Sequence, residues 1–561
     1  MQKVASDSPM PHPASVIDAP LAGGWPIGLG SVARRFAAVA AWVARLTDAQ
    51  LAILIGVTLF GLAAWPLALV DLPPLQDLPN HLATVTVIEH PRQYPEFVFN
   101  GYFKTNSALF TWLLLASRVM STKAAVRLFV LLVLGLGALS YPRLVLSLAG
   151  RRAMISSAFF AWPMVHNWFV SMGMLDFALG VPLATFLVVL LAGQSRTPSL
   201  ARGLQIAALA LLTWHAHAFP LLVVHLLVLV QVAIGRSWAE RAARARALVL
   251  PLLPASILVT ISLWSHMTEP VGAMTGDVAL GRLLPPWELF YNLWAEWLYG
   301  FTWLQIATLA PCLGLGLWAI AKWRTDVPFF GPVACAALVA LYVFSPYVVT
   351  NWFHVNSRLI PFLWLAALVR VPQRLPRRAA AALAVCAASY SVGMGIDYVR
   401  LDRDWARFTA GIGAVPEGSR LLPLLFRGKA TSENTRDVLH AWGFYVTRKH
   451  TSAPLLFAHS RSFPVMYRDP PPPQFNHLVL EGFAPNMGSP DWICHVMRSN
   501  GIAPADCVGL WRAQWAEFWA QALPQYDHVL LWSAPKEVLT MVPPAYKVTF
   551  ARDELTILAR Q

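Results

Sequence analysis

The chain has 561 residues, of which 57% are hydrophobic and only 13% charged, with a formal net charge of +14. A soluble domain carries about 25% charged residues, so composition excludes a wholly soluble protein. Residues 397–561 hold 17 Lys/Arg and 15 Asp/Glu, so the basic excess lies in the apolar part, and no basic stripe interleaved with aromatics marks a nucleic-acid surface.

Residues 1–30 are rich in Pro, Ser and Gly and lack an apolar core, as in a disordered cytoplasmic tail rather than a signal peptide. Arg34 and Arg45 flank a short amphipathic stretch suited to the inner membrane surface. Eleven apolar runs follow, at 51–70, 124–142, 153–171, 173–192, 203–219, 221–235, 247–265, 300–320, 329–349, 356–370 and 379–396. In hydrocarbon the backbone has no water partner, so these runs form helices. The run 107–120 is shorter and is expected to lie in the interface or re-enter it. The expected organisation is a transmembrane domain over 31–396, with outer loops 71–123 and 266–299, and a mixed α/β domain over 397–561.

The basic residues orient the bundle. Arg143 with Arg151 and Arg152, Arg196 with Arg202, Arg236 through Arg246, Lys322 with Arg324, and Arg370 through Arg378 make five basic loops. With 11 crossings all five fall on the cytoplasmic side, which puts the N-terminus inside and the C-terminal domain in the periplasm of a bacterial inner membrane. In that domain 419–425, 526–533, 546–550 and 555–560 pattern as strands, and 434–449 and 508–522 as helices. Cys494 and Cys507 can form a disulfide if the compartment is oxidising.

The remaining polar residues gather on the outer side. In DLPPLQDLPNHL (71–82), Asp77 and His81 are four apart and face one way if a helix begins there. Asp77 can act as a general base, hold a divalent cation, or merely cap the helix. In TWHAHAFP (213–220), His215 and His217 bind a pyrophosphate-like group or a metal, or tie helices together. In NWFHVNSRLIPF (351–362), Arg358 breaks the basic-inside pattern, and its planar fork suits a phosphate; His354 is four residues earlier. Snorkelling to headgroups, or a salt bridge to Asp77, is the plainer alternative. Trp287 and Glu288, in the aromatic loop 284–300, belong to an interfacial belt or to a sugar- or polyprenyl-binding lid. Asp176, early in the span after Gly173, can orient Arg358 or His217.

This pattern resembles the membrane-integral GT-C glycosyltransferase superfamily: an acidic residue in the first outer loop (QDLPNHL), an amphipathic segment after it, about 11 spans, an outer aromatic loop, an Arg heading a late span (Asn356-Ser357-Arg358) and a C-terminal soluble domain. The likeness is to loosely matched bacterial members. It implies a polyprenyl-phosphate sugar or other lipid-linked saccharide as donor, Asp77 as the catalytic acid residue, Arg358 on the donor phosphate, and His215, His217 and His354 lining the cavity, with His81, Asp176, Glu288 and Trp287 in support. Many members carry a D-x-D or E-x-D pair; here Asp71 and Asp77 are six apart, so the need for a divalent cation stays open. The expected activity is transfer of a sugar to an envelope acceptor, with membrane lipids as the other partners. The alternatives are a non-catalytic platform for envelope assembly, and a transporter or flippase of a lipid-linked saccharide. Against the transporter, the two halves show no internal repeat.

Overall fold

The computed structural model describes residues 38, 41–268, 281–296, 327–349, 353–427, 438–501 and 506–561, with scattered positions between 307 and 321. The expected tail 1–30 and most of the expected span 300–320 lie outside the described residues. The chain falls into two compact units, 1–51 and 52–561.

Five helices among the described residues are long and apolar enough to cross a membrane: Asp48–Leu69, Thr122–Ala149, Leu175–Arg196, Trp238–Ser265 and Arg377–Ala414. Three shorter apolar helices accompany them, Ala218–Ala233, Pro332–Phe344 and Ser357–Leu368. The protein is therefore a mostly helical, multi-pass membrane protein. Length separates these helices from the other expected spans. Arg151–Val165 has 15 residues and Leu200–Ala216 has 17, so each rises only about 23–26 Å at ~1.5 Å per residue. The run 107–120 becomes Ala108–Ala116, nine residues and far too short to cross.

Leu175–Arg196 is the central helix. Some 78% of its apolar window is buried, against 22% for Trp238–Ser265, so protein surrounds the first where the second presents most of its side chains outward. Leu175–Arg196 packs on Thr122–Ala149, Leu200–Ala216 and Ala218–Ala233. Gly150, at φ +85°, makes the reversal from Thr122–Ala149 into Arg151–Val165, a conformation that costs other residues a steric penalty. Ser121 and Ser199 cap their helices by accepting from Ala124 N–H and Arg202 N–H.

Helix Arg377–Phe408 runs without a break past residue 396, so one rod carries the chain out of the apolar bundle. Beyond it lies a four-stranded sheet in the order Leu421–Leu425, His528–Trp532, Leu555–Arg560, Tyr546–Arg552. The first pair is parallel and the other two are antiparallel. The two central strands are almost wholly apolar, as a sheet covered on both faces requires. Helices His477–Met487, Asp491–Ser499 and Cys507–Ala522 accompany the sheet, and a Cys494–Cys507 disulfide joins the last two.

The segment after the first span is stitched to this C-terminal region. Phe97–Phe99 pairs antiparallel with Val465–Tyr467. Asn100 Nδ2 donates to Arg461 O and Phe463 O, and Lys104 Nζ donates to the same two carbonyls. These contacts hold residues near 80 against residues near 450, which is what builds the site.

Candidate functional site

The Pro-rich loop before Leu78–Glu89 is pinned by backbone bonds. Gln76 N–H donates to Ser171 O at 3.1 Å and Asp77 N–H to Met172 O at 3.0 Å. The partner segment is the short helix Trp168–Met172, closed by Gly173 at φ +84°. A Cβ at Gly173 would lie 2.9 Å from Asp77 N, so glycine is needed both for the turn and for the close approach. Pro79 sits in the first turn of Leu78–Glu89, where its missing N–H costs nothing. Asp77 occupies the capping position, yet its side chain makes no capping hydrogen bond.

That side chain turns instead to the C-terminal region. His440 Nδ1 lies 2.9 Å from Asp77 Oδ1, and His440 Nε2 lies 3.4 Å from Glu481 Oε1. Burial opposes charge on this imidazole, but the two carboxylates outweigh it and push its pKa up to about 9. His81 is held below the usual imidazole range by burial, against the pull of Asp77 and of the Gly173 carbonyl, which its Nε2 meets at 3.2 Å. Asn80 locks the junction: its Nδ2 donates to Leu455 O at 3.2 Å, and its Oδ1 accepts from Phe457 N–H at 3.3 Å.

A second group gathers around Phe177, which the same short helix meets through Phe169. Arg358 Nη1 stands 3.4 Å from His217 Nε2, and the guanidinium covers the Phe177 ring with its carbon 5.8 Å from the centroid. Phe177 also meets His217 edge-on at 5.5 Å and Phe169 at 4.7 Å. His217 Nδ1 accepts from Phe219 N–H, and Arg358 Nη1 is the donor in the contact with His217 Nε2. The guanidinium is therefore the group here whose remaining N–H donors suit an anionic oxygen.

His354 belongs to a third group. Its Nδ1 lies 3.0 Å from Glu296 Oε1 and 2.7 Å from Tyr347 Oη, while Ser357 donates to the other Glu296 oxygen. Burial would raise the Glu296 pKa, but His354, Ser357 and Tyr347 outweigh it and hold the carboxyl below the usual range. His354 has φ +60°, an uncommon conformation for a residue with a side chain, and its ring meets Trp168 at 4.8 Å. Within the six residues Trp168–Gly173, Trp168 thus meets His354, Phe169 meets Phe177, and Ser171 and Met172 accept from Gln76 and Asp77.

Four expected residues sit elsewhere. His215 Nδ1 lies 3.0 Å from Lys104 O and its Nε2 3.2 Å from Thr111 Oγ1. Asp176 Oδ1 accepts from Leu109 N–H at 2.8 Å. Both tie down Ala108–Ala116, and Asp176 holds this helix start rather than Arg358 or His217. Glu288 pairs with Arg282 at 3.0 Å, and Trp287 is exposed on the Pro286–Ala295 helix. Among the described residues no group of three His, Cys, Asp or Glu is arranged to hold a metal ion.

His440 and Glu481 escaped the sequence reading altogether. His440 lies in an apolar stretch, DVLHAWGF, with no spacing that links it to Asp77. Glu296 was legible only as one acid in an aromatic loop; its partners His354 and Ser357 lie some 60 residues on.

No family model matches the chain, and no curated protein matches it. Among solved structures the chain is similar to ArnT from Cupriavidus metallidurans bound to undecaprenyl phosphate, with a TM-score of 0.47 and 12% identity over 90% of this chain and 97% of that one. It is also similar to the arabinofuranosyltransferase AftD from Mycobacteria, with a TM-score of 0.47 and 14% identity over 92% of this chain and 41% of that one.

Proposed function

We propose that the protein is a GT-C-type glycosyltransferase that moves a sugar from a polyprenyl-phosphate donor to an envelope acceptor on the periplasmic side of a bacterial inner membrane. One observation carries the reading: the backbone of Asp77 bonds to Met172, and Phe169 of the same short helix meets Phe177, the ring on which Arg358 and His217 pack, although these segments lie far apart in sequence. A transfer from a phosphate donor needs those two parts, a base for the acceptor hydroxyl and donors for the departing phosphate.

In this scheme the donor enters from the lipid. Its phosphate sits against Arg358, beside His217, and the guanidinium's hydrogen bonds strengthen as charge builds on the leaving oxygen. Asp77 accepts the proton of the acceptor hydroxyl, whose oxygen displaces the phosphate at the anomeric carbon; inversion follows. Glu296 and His354 shape the wall beyond Trp168. The basic loops and the Cys494–Cys507 disulfide support a periplasmic C-terminal domain, since disulfides persist in oxidising compartments.

The test is transfer of a labelled sugar from polyprenyl phosphate in membranes holding the wild type, Asp77→Asn or Arg358→Ala. The expected loss is about 100-fold or more in each variant. Full retention in both would end the proposal.

A further inference from the structure

Asp77 meets two polar side chains on one oxygen. His440 Nδ1 stands 2.9 Å from Oδ1, and Gln76 Nε2 donates to the same oxygen at 3.4 Å. Among the described residues both contacts fall on Oδ1 and none on Oδ2. A carboxylate held by one oxygen keeps the other for a substrate.

The imidazole is itself held from behind. Glu481 Oε1 lies 3.4 Å from His440 Nε2, so the ring stands between two carboxylates. The Nε2 contact is a hydrogen bond and the Nδ1 contact an ion pair by distance, so the doubly protonated ring is the form that both carboxylates favour. The ring is 3% exposed, and Phe457 packs edge-on against it at 5.0 Å, which keeps water off both contacts. Glu481 is less enclosed; with Phe426, Leu439 and Asn486 it lines a cavity of about 560 Å³, so the far end of this chain of charges exchanges with solvent while the ring does not.

The titratable groups around His440 come from three segments. From the first outer segment come Asp77 and His81; from helix His477–Met487 come Glu481 and His477. From the segment whose Phe457 packs on the ring comes His459, stacked on His477 at 4.3 Å. His81 and His477 are both pushed down, chiefly by burial, whereas His440 is pushed up to about 9. Of His81, His440 and His477, the one held charged at neutral pH is therefore His440.

We infer that His440 and Glu481 are positioning residues for Asp77: the C-terminal region supplies an imidazolium that fixes Oδ1 and aims Oδ2 at the acceptor hydroxyl, and Glu481 holds that imidazolium in place. The inference rests on the reading of Asp77 as the base. It also gives the C-terminal region a part in the chemistry, because the transfer site is complete only when that region is docked.

The test uses the full chain in lipid nanodiscs, with kcat and the KM for polyprenyl-phosphate sugar measured across pH. Glu481→Gln is expected to lower kcat by about tenfold with KM for the donor unchanged, and to move the alkaline limb of kcat down from about 9 toward neutrality. Glu481→Asp is expected to recover part of the loss, and His440→Ala to lose more than Glu481→Gln. If Asp77→Asn abolishes transfer while His440→Gln and Glu481→Gln keep the wild-type pH curve, the inference is overturned and the transferase reading stands. If Asp77→Asn transfers normally, the transferase reading itself fails. A second readout needs no activity: with ¹⁵N-labelled histidine, the His440 ring is expected to titrate well above the usual 6.5 in the wild type and lower in Glu481→Gln. A wild-type titration at 6.5 overturns the inference.

Discussion

His440 Nδ1 stands 2.9 Å from Asp77 Oδ1, although the two residues come from opposite ends of the chain. Linkage turns this contact into a stability prediction. The folded-state pKa of His440 is raised to about 9 from 6.5, so its contribution is fully present below pH 6.5 and is lost as pH rises through about 9. The size is roughly 3 kcal/mol. The thermal midpoint of the wild type should therefore fall between pH 6.5 and 9 more steeply than that of His440→Gln. Parallel curves would contradict the pairing.

Gly443 begins the helix Gly443–Lys449, which packs on Leu78–Glu89. A Cβ there would lie 2.2 Å from Pro79 O, a backbone atom that cannot step aside cheaply. Gly443→Val should loosen the junction by ~1–3 kcal/mol and expose the C-terminal region to limited proteolysis. Wild-type protease resistance would show that the two segments are not in close contact.

Asp176 should matter to structure more than to chemistry. Its carboxylate accepts from Leu109 N–H at the start of Ala108–Ala116. Asp176→Ala should cost ~1–2 kcal/mol and speed amide exchange in that helix, as loss of a capping acceptor does. Unchanged exchange at 108–116 would assign Asp176 another role.

The Cys494–Cys507 bond closes a loop of 13 residues. Replacing both cysteines by serine should destabilise the C-terminal region by ~3 kcal/mol, read as a lower midpoint for its unfolding. Cells that secrete the region into an oxidising space should yield protein without free thiol at these positions; thiol labelling there before reduction would contradict the periplasmic placement.

Much of the helical architecture was legible because apolar runs are long-range signals in themselves: the runs 124–142 and 173–192 overlap the helices Thr122–Ala149 and Leu175–Arg196, which extend past them into polar residues. The four C-terminal strands overlap the four short apolar segments bounded by turn residues, three of which also carry β-branched or aromatic side chains. Span lengths were less legible, since breaks such as His217 and Asn167 depend on which neighbour accepts the broken backbone. The site was legible one side chain at a time. Asp77, His217 and Arg358 stand out as polar residues at the ends of apolar runs, but nothing local says that His354 pairs with Glu296, or that Asp176 caps a helix in another loop. His440 could not be found from sequence at all, because its meaning comes from tertiary contact with Asp77 and Glu481.

The most direct measurement of the central claim is a cryo-EM map of the full chain in lipid with a polyprenyl phosphate bound. The account predicts phosphate density within about 3 Å of the Arg358 guanidinium and beside His217, in a space that also opens on Asp77. Density for the phosphate away from Arg358, or a map in which Asp77 and Arg358 open onto opposite faces of the bilayer, would contradict it.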